Sequence, residues 1–152
     1  MAVYSVGVSK AGVNTANTVM WQLKAASTLR ARIREIGISI SVAPSTAPLF
    51  ALARSTATGT SSTTVLGQAL DAADAAAVTT FDSAWSSAPT FSTSGPFINQ
   101  FGMPVTAGSG VIWTFGYGEE LVIPVSGGLC IANINASGST TGTMVCYVKW
   151  IE

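Results

Sequence analysis

The side chains able to do acid–base or covalent chemistry are few, and one kind is missing: the 152-residue chain has no histidine. That removes the group whose ordinary pKa suits proton transfer near neutral pH, and with it any Ser-His-Asp or Cys-His arrangement. The seven carboxylates are Glu35, Asp71, Asp74, Asp82, Glu119, Glu120 and Glu152. Asp71 and Asp74 lie three apart in the alanine-rich run 70–77. There they share one face of a short predicted helix, where capping and solvation are their ordinary roles. Glu119 and Glu120 are neighbours, so on a strand they point to opposite faces and make a poor dyad. Following Phe115-Gly116-Tyr117-Gly118, they read as a solvated turn. Neither acidic pair has calcium-loop spacing. Cys130 and Cys146, with no histidine to join them, cannot complete a four-ligand zinc site without carboxylates. Gly108-Ser109-Gly110 is not followed by a helix and so makes no phosphate cradle. The chain reads as no enzyme, with no cofactor.

What remains is contact chemistry. Arg30, Arg32 and Arg34 are three of the seven cations and project from one side of one strand, opposite Leu29, Ala31 and Ile33. Such a stripe is either a solvated face or a contact for carboxylates on a partner or a neighbouring copy, which the guanidinium fork matches. The N-terminal segment 1–8 is apolar and alternating, with Val3, Tyr4 and Val6, and precedes a Gly/Asn/Thr-rich stretch from Ala11 to Thr18. It is either an arm that adds a strand to a neighbouring sheet or an edge strand of its own sandwich. Ser55–Thr64, almost entirely Ser, Thr, Ala and Gly, reads as a mobile loop and a second reaching device. Trp21, Trp85, Trp113 and Trp150 sit in strand-like segments, where large aromatics fill cores or, if exposed, stack on sugars.

Strands must position all of these. Segments 3–8, 18–24, 29–42, 48–54, 79–85, 97–103, 111–115, 121–125, 128–134 and 143–151 carry strand signatures, most of them bounded by Gly, Pro and Ser. In 29–42 the apolar residues fall on odd positions up to Ile33 and on even positions from Ile36. The phase flips at Arg34-Glu35, which predicts a β-bulge there. Eight to ten short strands with turns between them, and at most one short helix, predict an all-β antiparallel β-sandwich, jelly-roll-like, as a single domain over 1–152.

Composition bears on partners. The chain is 48% hydrophobic but only 9% charged, against about 25% in ordinary domains. A surface so poor in charge has little self-repulsion, which favours packing against other chains. Seven cations cancel seven anions without a basic run, so no nucleic-acid partner is expected. No stretch of about 20 apolar residues occurs and the start lacks a basic-then-apolar signal, so no membrane partner and a cytosolic origin are expected. That origin favours reduced, half-buried thiols at Cys130 and Cys146 over a cross-strand disulfide.

Two segments carry a resemblance. Leu121-Val122-Ile123-Pro124-Val125-Ser126-Gly127-Gly128-Leu129-Cys130-Ile131-Ala132-Asn133, followed by Thr141-Gly142-Thr143-Met144-Val145-Cys146-Tyr147-Val148-Lys149-Trp150-Ile151-Glu152, is similar to the ends of small structural proteins of tailed bacteriophages. In several of these a final hairpin closes a jelly roll like that of tumour-necrosis-factor and C1q domains. The resemblance covers about the last third of the chain. It implies a head decoration or cement protein: a homotrimer on the capsid surface of the virion, made in the host cytoplasm, with the major capsid protein as partner and no catalytic residues. A carbohydrate-binding module or a tail receptor-binding tip is the alternative.

Overall fold

The computed structural model of the chain describes residues 1–13, 15–135 and 142–152. The described residues form strands and turns without a helix: β1 (Val3–Ala11), β2 (Thr18–Lys24), β3 (Ala31–Val42), β4 (Leu49–Ala57), β5 (Thr60–Leu66), β6 (Gln68–Ala69), β7 (Thr80–Ser87), β8 (Thr90–Phe91), β9 (Asn99–Gly102), β10 (Gly110–Thr114), β11 (Leu121–Ile123), β12 (Gly128–Asn133) and β13 (Thr143–Ile151). One sheet runs β10-β3-β13-β1-β6, with β11 also on β3; the other runs β5-β7-β2-β12-β4-β8, with β9 also on β4. All the pairings are antiparallel. Within them, β1-β13-β3-β10 and β2-β12-β4-β9 make two four-stranded sheets between which the chain crosses at every step but β4 to β9, which is the jelly-roll order. The expected all-β antiparallel β-sandwich is therefore what the chain forms.

Period two explains the core. Tyr4 and Val6 from β1, Trp21 and Leu23 from β2, Phe50 and Leu52 from β4, and Met144, Cys146, Val148 and Trp150 from β13 all point between the sheets and are buried there. The predicted bulge is present. Lys149 pairs with Glu35 and Trp150 with Ile33, so Arg34 is left out of the ladder. That single residue lets Ala31 and Ile33 share a buried face with Ile36, Ile38 and Ile40. Gly67 lies where the chain passes over Trp150; a Cβ there would come 2.3 Å from the indole ring.

Several expectations change. Leu29 precedes β3 and is 44% exposed, so it takes no part in the inward row. The stretch read as a mobile loop, Ser55–Thr64, instead ends β4 and begins β5, and β5 pairs along β7. β-branched threonines suit a pleated strand. The alanine-rich run 70–77 is not a helix. Asp71 closes one turn, its carboxylate accepting from the Ala73 N–H at 2.9 Å and its carbonyl from the Asp74 N–H at 3.0 Å. Without a second turn, nothing offsets the cost of helix nucleation. Of the loops read from the sequence, the one over 136–142 falls mostly on 136–141, outside the described residues.

The core map predicts a contrast. Ile38→Ala removes a side chain 2% exposed and should cost about 2–5 kcal/mol. Leu29→Ala, at a surface position, should change stability by no more than about 0.5 kcal/mol. Urea unfolding of the two variants measures both; an equal loss would contradict the burial assigned here.

Candidate interaction face

The two sheets treat their outer faces differently. The outer face of the β2-β12-β4 sheet is covered by its own chain: Phe91 and Phe97, from the segment around β8, pack on Val19, Ala53, Cys130 and Ala132, with Trp85 and Ile134 at the margin. The outer face of the β1-β13-β3-β10 sheet is left bare by the described residues. Register places three rows across its four strands: Ser5, Lys149, Glu35, Thr114; then Gly7, Tyr147, Gly37, Ile112; then Ser9, Val145, Ser39, Gly110. Small residues dominate, so the surface is flat.

Tyr147 anchors the middle row. Its ring lies over Gly37, where a Cβ would come 2.0 Å from the ring carbon Cε1. The aromatic ring covers the strand that the glycine leaves bare. Its hydroxyl donates to Glu35 Oε1 at 2.8 Å, and Lys149 Nζ donates to the same oxygen at 2.7 Å. The only charges among these twelve positions thus neutralise each other. Ile112, 61% exposed, borders a groove of about 490 Å3 shared with Gly37, Ser39, Gly108, Gly110 and Tyr147.

The candidate residues from the sequence fall apart. Tyr4 and Val6 are 4% and 6% exposed and sit in the core; Tyr4 also donates its hydroxyl to the Ala75 carbonyl at 2.9 Å. They are corrected from contact residues to core residues, because β1 pairs with β13 along its whole length from Val3 to Ala11. Segment 1–8 is therefore a strand of its own sandwich rather than a free arm. Val3 is half-buried at the margin of the bare face. The arginine stripe divides as well. Arg30, outside the strand, and Arg32 are exposed, whereas Arg34, turned aside by the bulge, binds Glu120 Oε1 at 3.1 Å and lies 5.8 Å from the Tyr117 ring. Glu120 is thus paired rather than solvated. Cys130 and Cys146 are free, buried thiols in different sheets, and burial raises the pKa of each. Trp21 and Trp150 are fully buried, Trp113 meets Phe101 edge-on at 4.3 Å, and Trp85 lies under the Lys10 ammonium at 4.8 Å.

Two features escaped the sequence reading. Lys10 turns inward to donate to the Met20 and Ser83 carbonyls, and burial pushes its pKa down to about 8. The Tyr147–Gly37 contact joins strands more than a hundred residues apart, and only the register reveals it.

The fold is a jelly-roll-like antiparallel sandwich, and the described residues leave one of its outer faces uncovered. Comparison with known proteins found no matching family model, no matching curated protein and no matching solved structure.

The Glu35 cluster has a pH signature. The hydrogen bond from Lys149, and after it the one from Tyr147, holds the Glu35 carboxyl below its ordinary value of 4.5. A folded value below the unfolded one means that the contact stabilises fully above about 4.5 and fades as pH falls through the folded value. Glu35→Gln should remove that part of the acid loss, about 0.2–1 kcal/mol for a half-buried surface pair screened by solvent, as read from urea midpoints between pH 6 and the acid limb. Burial first, then the Glu35 acceptor, pushes the Tyr147 phenol up to about 12. Burial raises the Tyr4 phenol as well, so a phenolate absorbance titration should show late ionisation of which only the Tyr147 part falls in Glu35→Gln. An unchanged alkaline curve would place that phenol elsewhere.

Proposed function

We propose that the chain is a structural component of a virion: a decoration or cement protein that assembles as a homotrimer and clamps the major capsid protein on the capsid surface. It is made in the host cytoplasm, acts by binding rather than by catalysis, and needs neither nucleic acid nor membrane. The observation that carries this reading is the bare, flat, internally neutralised face around Tyr147, Gly37 and Ile112. An exposed apolar groove rimmed by serine and glycine is the kind of surface that protein partners cover. A chain with few charges does little to repel its own copies, and closed cyclic assembly buries such a face without leaving open ends. A protein that binds only the assembled shell stabilises it by mass action.

The alternative, a carbohydrate-binding module or tail receptor-binding tip, loses the tryptophans buried in the core. What favours it is Tyr117, 90% exposed in the loop between β10 and β11.

Light scattering after size exclusion at micromolar concentration should give three times the chain mass. Ile112→Asp and Val145→Asp should each reduce it to the monomer with an unchanged far-ultraviolet circular dichroism spectrum, because both side chains reach solvent in the single chain. Shells of the cognate major capsid protein should disassemble at a higher temperature with the wild-type chain than with either variant. A wild-type monomer that leaves shell melting unchanged overturns the proposal.

A further inference from the structure

On the sheet opposite the bare face, β2, β7 and β5 run side by side at the end of the sandwich away from the Phe91 and Phe97 cover. Lys24 pairs with Thr80, and Thr64 with Asp82, so these side chains share the outer face. An open cleft of about 490 Å3 lies over them, walled by Lys24, Ser27, Ser61, Thr64, Thr80 and Ser126. Its volume falls in the range of small-ligand clefts, about 300–1,000 Å3. Six of its lining residues carry hydroxyls, beside the aliphatic Ala25, Ala26 and Val78.

Two observations give the cleft chemical direction. Thr64 donates its hydroxyl to the Asp82 carboxylate, which is 1% exposed, at 2.7 Å. With that proton committed, Thr64 Oγ1 accepts from Ser61 Oγ, also at 2.7 Å. Ser61 then offers its lone pairs outward, so a buried carboxylate sets the direction of the hydroxyls above it. Lys24 is the second observation. It is half-buried at the cleft, and among the described residues no carboxylate or carbonyl accepts from it. The other half-buried cations are engaged: Lys10 by two carbonyls, Arg34 by Glu120 and Lys149 by Glu35.

We propose that this cleft binds a saccharide bearing one carboxylate, a uronic-acid type of sugar. Lys24 pairs with the carboxylate, Ser61 accepts from a ring hydroxyl, and the Thr80 hydroxyl donates or accepts as the sugar requires. One cation among several hydroxyls matches one carboxylate on a polyhydroxylated ring. The cleft lies on the sheet away from the Tyr147 face, so this site stands or falls independently of the oligomer.

The test is an amide-shift titration of the full chain with glucuronate, with glucose, acetate and inorganic phosphate as comparison probes. Glucuronate should give saturable shifts centred on 24–27, 58–64, 78–80 and 126. Glucose should bind at least about fivefold more weakly, and acetate and phosphate should not saturate in the same range. Lys24→Gln should weaken glucuronate about tenfold while its spectrum elsewhere stays native, and Arg30→Gln should leave the titration unchanged. Shifts that never saturate, that survive Lys24→Gln, or that acetate or phosphate reproduces in full would overturn the proposal.

Discussion

Side chains on a strand alternate between faces, so the longest strand, β3, can bury both Ala31 with Ile33 and Ile36 with Ile38 and Ile40 only if one residue drops out of the ladder. Arg34 is that residue. On the inward side, it keeps five side chains of β3 in the space between the sheets, against Met144, Cys146, Val148 and Trp150 of β13. On the outward side, it keeps Glu35 and Gly37 opposite Lys149 and Tyr147. The ion cluster and the aromatic cover over glycine therefore depend on the same missing rung as the core. The expelled arginine is satisfied by Glu120 from the neighbouring turn, so a defect in the ladder becomes a tie between β3 and the loop before β11.

Much of this was legible in the chain because period two is a local property. The strand segments, the phase flip at Arg34-Glu35 and the inward rows of β13 follow from which residues lie two apart. What stayed hidden is what depends on partners distant in sequence. Val3, Tyr4 and Val6 alternate in the same way whether they pair with their own β13 or with another chain's sheet, and nothing within eight residues tells the two apart. The run from Ser55 to Thr64 was hidden for a different reason. Serine and glycine suggest a loop, but threonine is β-branched, and pairing with β7 settles its conformation. The bare face and the hydroxyl cleft were not legible at all, since each is assembled from at least three strands and no one segment carries its signal.

The two outer faces also differ in how they are finished. One is closed by a small second core around Cys130, built from a loop that returns over the sheet. Among the described residues the other carries no such loop, and its middle row depends on one ring lying across a glycine. A sandwich of this size has chain to spare for covering a sheet, as the Phe91–Phe97 segment demonstrates. Leaving the Tyr147 face flat, while pairing its few charges with one another, keeps it smooth and free of net charge.

The ends of the described chain meet. The Ala2 N–H donates to the Glu152 carbonyl and the Glu152 N–H to the Ala2 carbonyl, both at 3.2 Å, at the head of the antiparallel β1–β13 ladder. Tension applied between the two ends would therefore act across the ladder rather than along it, loading one rung at a time from Val3–Ile151 toward Ala11–Thr143. Bonds loaded in turn yield at low force, as a zipper does, whereas bonds loaded together resist as a shear joint. Held by its faces the sandwich is stiff; pulled by its ends it peels.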